Sequence, residues 1–313
     1  MENNLYYKYS DYLKCKYNEK VYKIPINLPL SCPNRINGAG CTYCGENAVG
    51  YESLENTMSV SCQLSKNIAY IGPRYGSGKF IAYFQNYTNT FLSPSLFKKY
   101  MNECARDDVV EISVSTRPDC VDERYLDILK EVSLKTGMDI CVELGLQSVN
   151  HRTLQLINRG HGLAEFIDAV LMIKKYGFTI SAHMILNLPY DDLSDVIEGA
   201  KILSALKVDF VKMHSLYICK NTKMESEYLS GNLDLKDVDD YVKKASEFLA
   251  YLDKDIAVQR LVSRAPKQDT VFCNYGISWW KIRDFIHEYM TENNLYQGCK
   301  CDYLGGKNVK KFK

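Results

Sequence analysis

The feature that most constrains this chain is a beat of short apolar runs. β-rich stretches stand at 79–85, 109–116, 138–146, 179–188 and 208–218, and successive ones begin roughly thirty to forty residues apart, the length of a βα unit. The intervals carry helical stripes. Leu163, Phe166, Ile167, Val170 and Leu171 share one face of a helix expected over 163–176, with Gly177 as its stop. Leu126, Leu129 and Val132 form a second stripe, and Val196, Ala200 and Leu203 a third. Runs such as FIAYF and ICVELGL are apolar nearly throughout, as parallel strands covered on both faces are. With an earlier run at 21–30, six βα units follow in order. They predict an α/β fold, either a parallel barrel or partial barrel, or a doubly wound sheet. After residue 218 the beat stops. A helix over 238–251, a short strand at 256–261, a helix near 279–290 and a Lys-rich tail complete the chain. The expected division is an N-terminal segment (1–20), a barrel (21–218) and a C-terminal α/β extension (219–313).

Charge narrows the function classes. Lys plus Arg number 39 and Asp plus Glu 38, a net charge of +1. That excludes a strongly basic nucleic-acid coat and leaves room for a local basic patch. No apolar run approaches the ~20 residues of a membrane helix. The opening MENNLYYKYSDYLKCK lacks the apolar core of a signal peptide. A cytoplasmic protein is expected. There, twelve cysteines point to metal or redox chemistry rather than disulfides. Cys62, Cys104, Cys120, Cys141 and Cys219 stand alone and read as small buried hydrophobes.

Parallel barrels carry their chemistry at the C-terminal ends of strands. Six polar clusters stand there: SCPNRINGAGCTYC, QNYTNT, STRPD, ELGLQS, NLPYDD and HSLYICKNT. The first holds Cys32, Cys41 and Cys44 in a Gly-rich loop. Three close thiols bind something soft. Zinc wants a fourth ligand, and the nearest histidine in sequence is His151. A 4Fe-4S cluster on three cysteines leaves one iron open to chelate a substrate. The spacing ranks the iron–sulfur cluster ahead of zinc.

With these residues in place, the sequence resembles the radical S-adenosylmethionine (SAM) superfamily, in the branch that includes the catalytic subunit of Elongator. It is most similar to the bacterial YhcC/YtqA-type family. CPNR, the GCTYC loop, FIAYFQNYTNT, STRPDC, VELGLQS, RTLQLINRGH, AHMILNLP and VKMHSLYICKNT stand in the family's order. The eight-residue first spacing matches the Elongator-like branch. The resemblance implies a partial (βα)6 TIM-like barrel with a 4Fe-4S cluster on Cys32, Cys41 and Cys44, and SAM as the second cofactor. It implies cleavage of SAM to a 5′-deoxyadenosyl radical and an electron donor such as flavodoxin or ferredoxin. Gln147 would sit near the ribose, and Arg159 would fork onto the SAM carboxylate. Gln85 and Asn86 occupy the place of a Gly-Gly-Glu strand end that contacts the SAM amino group. Ser115 stands where relatives carry a ribose-binding Glu. Glu143 either compensates for it or is a buried Glu paired with a Lys. The strand around Leu186 would lie along the adenine.

Tyr87, His183, Lys212, His214 and Tyr217 are the candidates for substrate contact near the mouth, with a satisfied core histidine as the other reading of His183 and His214. Gly72–Phe80 resembles a P-loop but precedes a strand and lacks the Ser or Thr for Mg²⁺, so it reads as a connecting turn. Cys299 and Cys301 with Cys273 form a weak candidate for a second metal site. Three functions stay open: a radical SAM enzyme on the wobble uridine of tRNA, converting carboxymethylaminomethyl to aminomethyl, as the resemblance implies; a radical SAM enzyme on a small metabolite; and a non-catalytic iron–sulfur or zinc redox sensor. Arg35, Lys212, Lys220, Lys223 and the tail lysines (Lys307, Lys310, Lys311, Lys313) are the candidate phosphate contacts for RNA.

Overall fold

A computed structural model describes residues 4–45 and 53–312. Lys313 of the tail lies outside this range, as does the side chain of Lys311. Nine strands are found among the described residues: β1 (Val21–Ile26), β2 (Lys79–Phe84), β3 (Val109–Thr116), β4 (Asp139–Gln147), β5 (Thr179–Ile185), β6 (Phe210–His214), β7 (Tyr217–Cys219), β8 (Ala257–Arg260) and β9 (Thr270–Cys273). Seven form one parallel sheet in the order β1-β2-β3-β4-β5-β6-β8. The first and last strands do not pair, so the sheet is a half-barrel. The doubly wound alternative is excluded, because spatial order follows chain order without a switch point.

The apolar runs fold as parallel strands because both faces are covered. β2, β3 and β4 are buried almost from end to end. Helices between strands of the sheet are started by side-chain caps, Ser93 on Leu96 N, Asp122 on Arg124 N and Asp192 on Ser194 and Asp195 N. Gly137 (φ 75) ends one of them in the left-handed conformation its stop requires. β1 carries Pro25, tolerable because this strand is the sheet's edge. It ends at Ile26, short of the expected 30.

Two expectations change in detail. The run at 208–218 divides into β6 and β7, and β7 leaves the barrel to pair antiparallel with β9. The segment Gly72–Tyr75 is the last turn of a helix, Val60–Tyr75, which contains Pro73 and closes on Gly76 (φ 61). The seventh strand, β8, is delivered by the C-terminal segment. The helix Val238–Tyr251 follows the expected bounds and packs between the helices Leu193–Ala205 and Trp279–Glu292.

A feature the sequence did not announce closes the bottom of the half-barrel. The helix Tyr9–Tyr17 buries Tyr9 and Leu13 against Val21, Ile81, Cys141, Phe210 and Ala257. Ahead of it, Lys8 bridges Val258 and the Tyr7 carbonyl accepts from Val258 N at 2.8 Å. No helix of the described residues is long and apolar enough to cross a membrane.

Candidate active site

The opposite end of the half-barrel opens into a cavity of about 210 Å³. Cys32, Cys41 and Cys44 reach it from the loop after β1. The loop is held by side chains rather than by secondary structure. Asn34 Nδ2 donates to the Asn158 carbonyl at 2.8 Å, and Asn158 Nδ2 donates to the Gly40 carbonyl at 2.6 Å. Thr42 N donates to the Ile157 carbonyl at 3.0 Å, and Arg35 Nη2 to the Cys44 carbonyl at 2.9 Å. Gly40 (φ 74) makes the bend that a side-chain-bearing residue would strain. Beneath, Leu154, Ile157, Ile185, Leu216, Ile218 and Met224 form an apolar bed with Tyr43 packed on it.

Arg159 follows Asn158, which itself has a positive φ of 52. Its guanidinium donates to the Gly145 carbonyl at 2.6 Å and to Cys41 Sγ at 3.6 Å. A Cβ on Gly145 would come within 2.7 Å of Arg159 Nη2, so Gly is required for this approach. β4 bulges against β5 between Gly145 and Gln147, and Gln147 takes φ 77. Bulges of this kind re-aim a side chain at a site. Arg117, from the STRPD cluster, pairs with Asp119 at 2.8 Å and donates to the Arg159 carbonyl at 2.9 Å.

The expected residues divide between wall and interior. Gln85, Ser115, Glu143, Gln147 and Arg159 line the cavity, as do Tyr87, His183, Lys212, His214 and Tyr217. Asn86 and Leu186 do not. Asn86 is buried and donates to Asn27 Oδ1 at 2.6 Å, while Leu186 sits in the main core with its N–H on the His214 carbonyl at 3.0 Å. Glu143 is fully buried and ion-paired with Lys23, its Oε2 2.7 Å from His183 Nε2 and 3.6 Å from Lys212 Nζ. That is the buried Glu–Lys reading of this residue. Burial disfavours its charge, but Lys23, Lys212 and His183 outweigh burial and hold the carboxyl well below its usual range. Burial and Lys212 push His183 down to about 4. Burial, opposed by Glu143 and joined by Arg260 and Lys23, brings Lys212 down to about 7.

Sequence reasoning missed Lys23, Asn34, Arg117 and Arg260. For Arg117 a signal existed, since STRPD was already marked as a polar strand end. For Lys23 the signal was a lone lysine inside an apolar strand. Cys273 lies in β9, whereas Cys299 and Cys301 lie near Tyr251 and Tyr303, and no second metal site forms among the described residues.

The donors at the loop suit an iron–sulfur core. Cys32, Cys41 and Cys44 are free thiols of one loop, and all three line the cavity. Burial and the neighbouring Cys41 push the Cys44 thiol up to about 12, so a cation must displace its proton. Asn34 Nδ2 and Arg159 Nη1 already donate to Cys41 Sγ, the kind of hydrogen bond that tunes a cluster sulfur. Buried polar atoms on the same wall lack partners: Arg159 Nε, Thr88 Oγ1 and His214 Nε2. They are donors and acceptors waiting for a polar guest.

Comparison with known proteins agrees with this geometry. A family profile described as the Radical SAM superfamily matches residues 26–203, and a Radical_SAM C-terminal domain matches 208–292. The chain is 31% identical to the uncharacterized protein YtqA of Bacillus subtilis, over 94% of this chain and 92% of that one. It is 24% identical to the tRNA uridine(34) acetyltransferase of Methanocaldococcus infernus, over 67% of this chain and 39% of that one. In fold it is similar to the archaeal Methanocaldococcus infernus Elp3 with an N-terminal deletion, with a TM-score of 0.64 at 16% identity, covering 88% of this chain and 64% of that one.

Proposed function

Because the chain belongs to the radical SAM superfamily, whose enzymes use a 4Fe-4S cluster and SAM, we propose that it is a tRNA-modifying member acting on the carbon-5 side chain of a wobble uridine. With both cofactors bound, such a site supplies a 5′-deoxyadenosyl radical able to take hydrogen from an unactivated C–H bond. Cys32, Cys41 and Cys44 would hold the cluster, with Asn34, Asn158 and Arg35 fixing the loop. Arg159 and Gln147 would orient SAM from the β4 end. The buried network around Glu143 shapes the far wall and keeps water out of the barrel interior.

The observation that carries this reading is the likeness of the barrel to a protein named for uridine 34 of tRNA. The rim supports it. Arg35 lies over the Tyr87 ring at 5.8 Å, Arg264 lies over Trp279 at 4.2 Å, and Tyr217 lines the mouth. Aromatic faces and guanidinium planes are what a splayed RNA base stacks on. The reaction would shorten carboxymethylaminomethyl to aminomethyl, with a reduced flavodoxin or ferredoxin as electron donor in the cytoplasm. Nucleoside profiling of bulk tRNA from a deletion strain tests it. A carboxymethylaminomethyl-uridine should accumulate and a smaller derivative should vanish. An unchanged profile, with tRNA binding that ignores salt, would leave an enzyme of small-metabolite chemistry as the account.

A further inference from the structure

We propose that Arg260 and Lys212 form a receptor for an oxyanion of the substrate, a carboxylate or a phosphate, on the floor of the cavity. The inference rests on reading this cavity as the place where substrate meets SAM, and not on the substrate being RNA. Register places the two side by side. Lys212 in β6 pairs directly with Arg260 in β8, and His183 in β5 pairs with Lys212, so the three project from one row of the sheet. The same row begins at Gly145, whose carbonyl holds Arg159. One row across the sheet thus joins the Arg159 side of the cavity to Arg260.

Lys212 and Arg260 are neighbouring cations, and the carboxylate that faces Lys212, Glu143, is already ion-paired with Lys23, which also lies within electrostatic reach of the buried Glu111. The oxygens of Glu143 are taken, Oε1 by Lys23 and by Ser113 at 3.0 Å, Oε2 by His183 at 2.7 Å. Lys212 Nζ is 3.6 Å from Oε2 and donates to Tyr83 Oη at 2.7 Å. No ion pair or side-chain hydrogen bond engages the Arg260 guanidinium among the described residues, although it lines the cavity. Arg260 is part-buried and lines the cavity, so its guanidinium can meet a partner that enters from solvent. A guanidinium of this kind binds carboxylate or phosphate through two parallel bonds. His214 also reaches the cavity with Nε2 buried and unpartnered, while Nδ1 is held by Ser263 at 2.9 Å. It is a third polar group of the same wall.

Proton linkage follows. Lys212 faces Lys23 and Tyr83 from β1 and β2, Glu143 and His183 from β4 and β5, Arg260 from β8, and His214 on its own strand. In the free site burial, opposed by Glu143 and joined by Arg260 and Lys23, holds its ammonium down to about 7. An arriving anion restores the proton, so binding at pH 8 takes up about one proton.

The test is calorimetry on anaerobically reconstituted enzyme, titrated with acetate and separately with inorganic phosphate, with and without SAM. It is run at pH 8 in two buffers of different ionisation heat. Saturable binding with proton uptake is expected in the presence of SAM. Arg260→Gln should weaken it by about tenfold or more, and Arg260→Lys should retain part of it. Lys212→Met should abolish the proton uptake. Iron content and circular dichroism check that each variant is folded. Preference for acetate identifies a carboxylate as the group, and preference for phosphate the other source. Absence of saturable binding to the wild type, equal binding by Arg260→Gln, or loss of binding when SAM is added would each overturn the proposal. The last would mean that the floor holds the carboxylate of SAM itself. Anion binding without any change in tRNA overturns the RNA reading and leaves the receptor standing, and the reverse result separates them equally well.

Discussion

Replacing Glu143 by alanine should destabilise the protein more than the loss of any single hydrogen bond. The carboxylate is completely buried, and it neutralises Lys23, with 19% side-chain exposure, and Lys212, with 8%. Removing one partner of a buried pair costs about 3–5 kcal/mol, because the other charge is left uncompensated. For a chain of this length each kcal/mol lowers Tm by about 2 °C, so a fall of about 6–10 °C is expected at pH 7. The loss should shrink at pH 9, where Lys212 has shed its proton and one stranded charge disappears. Adding Lys23→Met should recover much of the loss, since a neutral replacement of the pair removes the desolvation cost with the attraction. The assay is thermal and denaturant unfolding of Glu143→Ala, Lys23→Met and the double variant at matched iron content. A single variant within about 1 kcal/mol of wild type, well below the buried-pair cost, or a double variant no better than Glu143→Ala, would refute the argument that unpaired charge is what costs.

Further outcomes follow from the site. Alanine at Cys32, Cys41 or Cys44 should abolish the iron of about four per chain expected for one cluster, while alanine at Cys62 or Cys141 should leave it; iron analysis decides. Gly145→Ala places a methyl 2.7 Å from Arg159 Nη2, so Arg159 must move, and SAM affinity should fall as in Arg159→Ala, by about 1.5–3 kcal/mol, with iron content unchanged. Unfolding free energy should rise between pH 7 and about 10, because the unfolded lysine holds a proton that folded Lys212 has released; Lys212→Met should flatten that rise, and denaturant midpoints across pH measure it.

What was legible in the sequence was local. Strands declared themselves through unbroken apolar runs, and the cysteines through spacing within one loop. The helix Val60–Tyr75 also carried its stripe, Val60, Leu64, Ile68 and Ile71, but Gly72, Pro73 and Gly76 drew attention to a turn. The far wall of the site could not be read in this way. Lys23 meets Glu143 across 120 residues and Gln259 across 236, and a parallel sheet creates such neighbours through register alone. Arg260 was invisible for the same reason: the strand that carries it was expected outside the barrel. The split between β6 and β7 was hidden because the run 208–218 is apolar on both sides of Ser215.

The helix under the barrel has a consequence for biosynthesis. Tyr9–Tyr17 leaves the ribosome ahead of every strand it packs on, and its seat includes Ala257, which follows Tyr17 by 240 residues. At ~5–20 residues per second, that interval lasts roughly 12–50 s. Throughout it the helix has no finished surface to dock on, and the charged interior above it stands open to water from below. Closure of the barrel floor is thus a late, long-range event that joins the helix Tyr9–Tyr17 to β8. A nascent chain stalled before β8 should be protease-sensitive in its first strands, however well its middle βα units have formed.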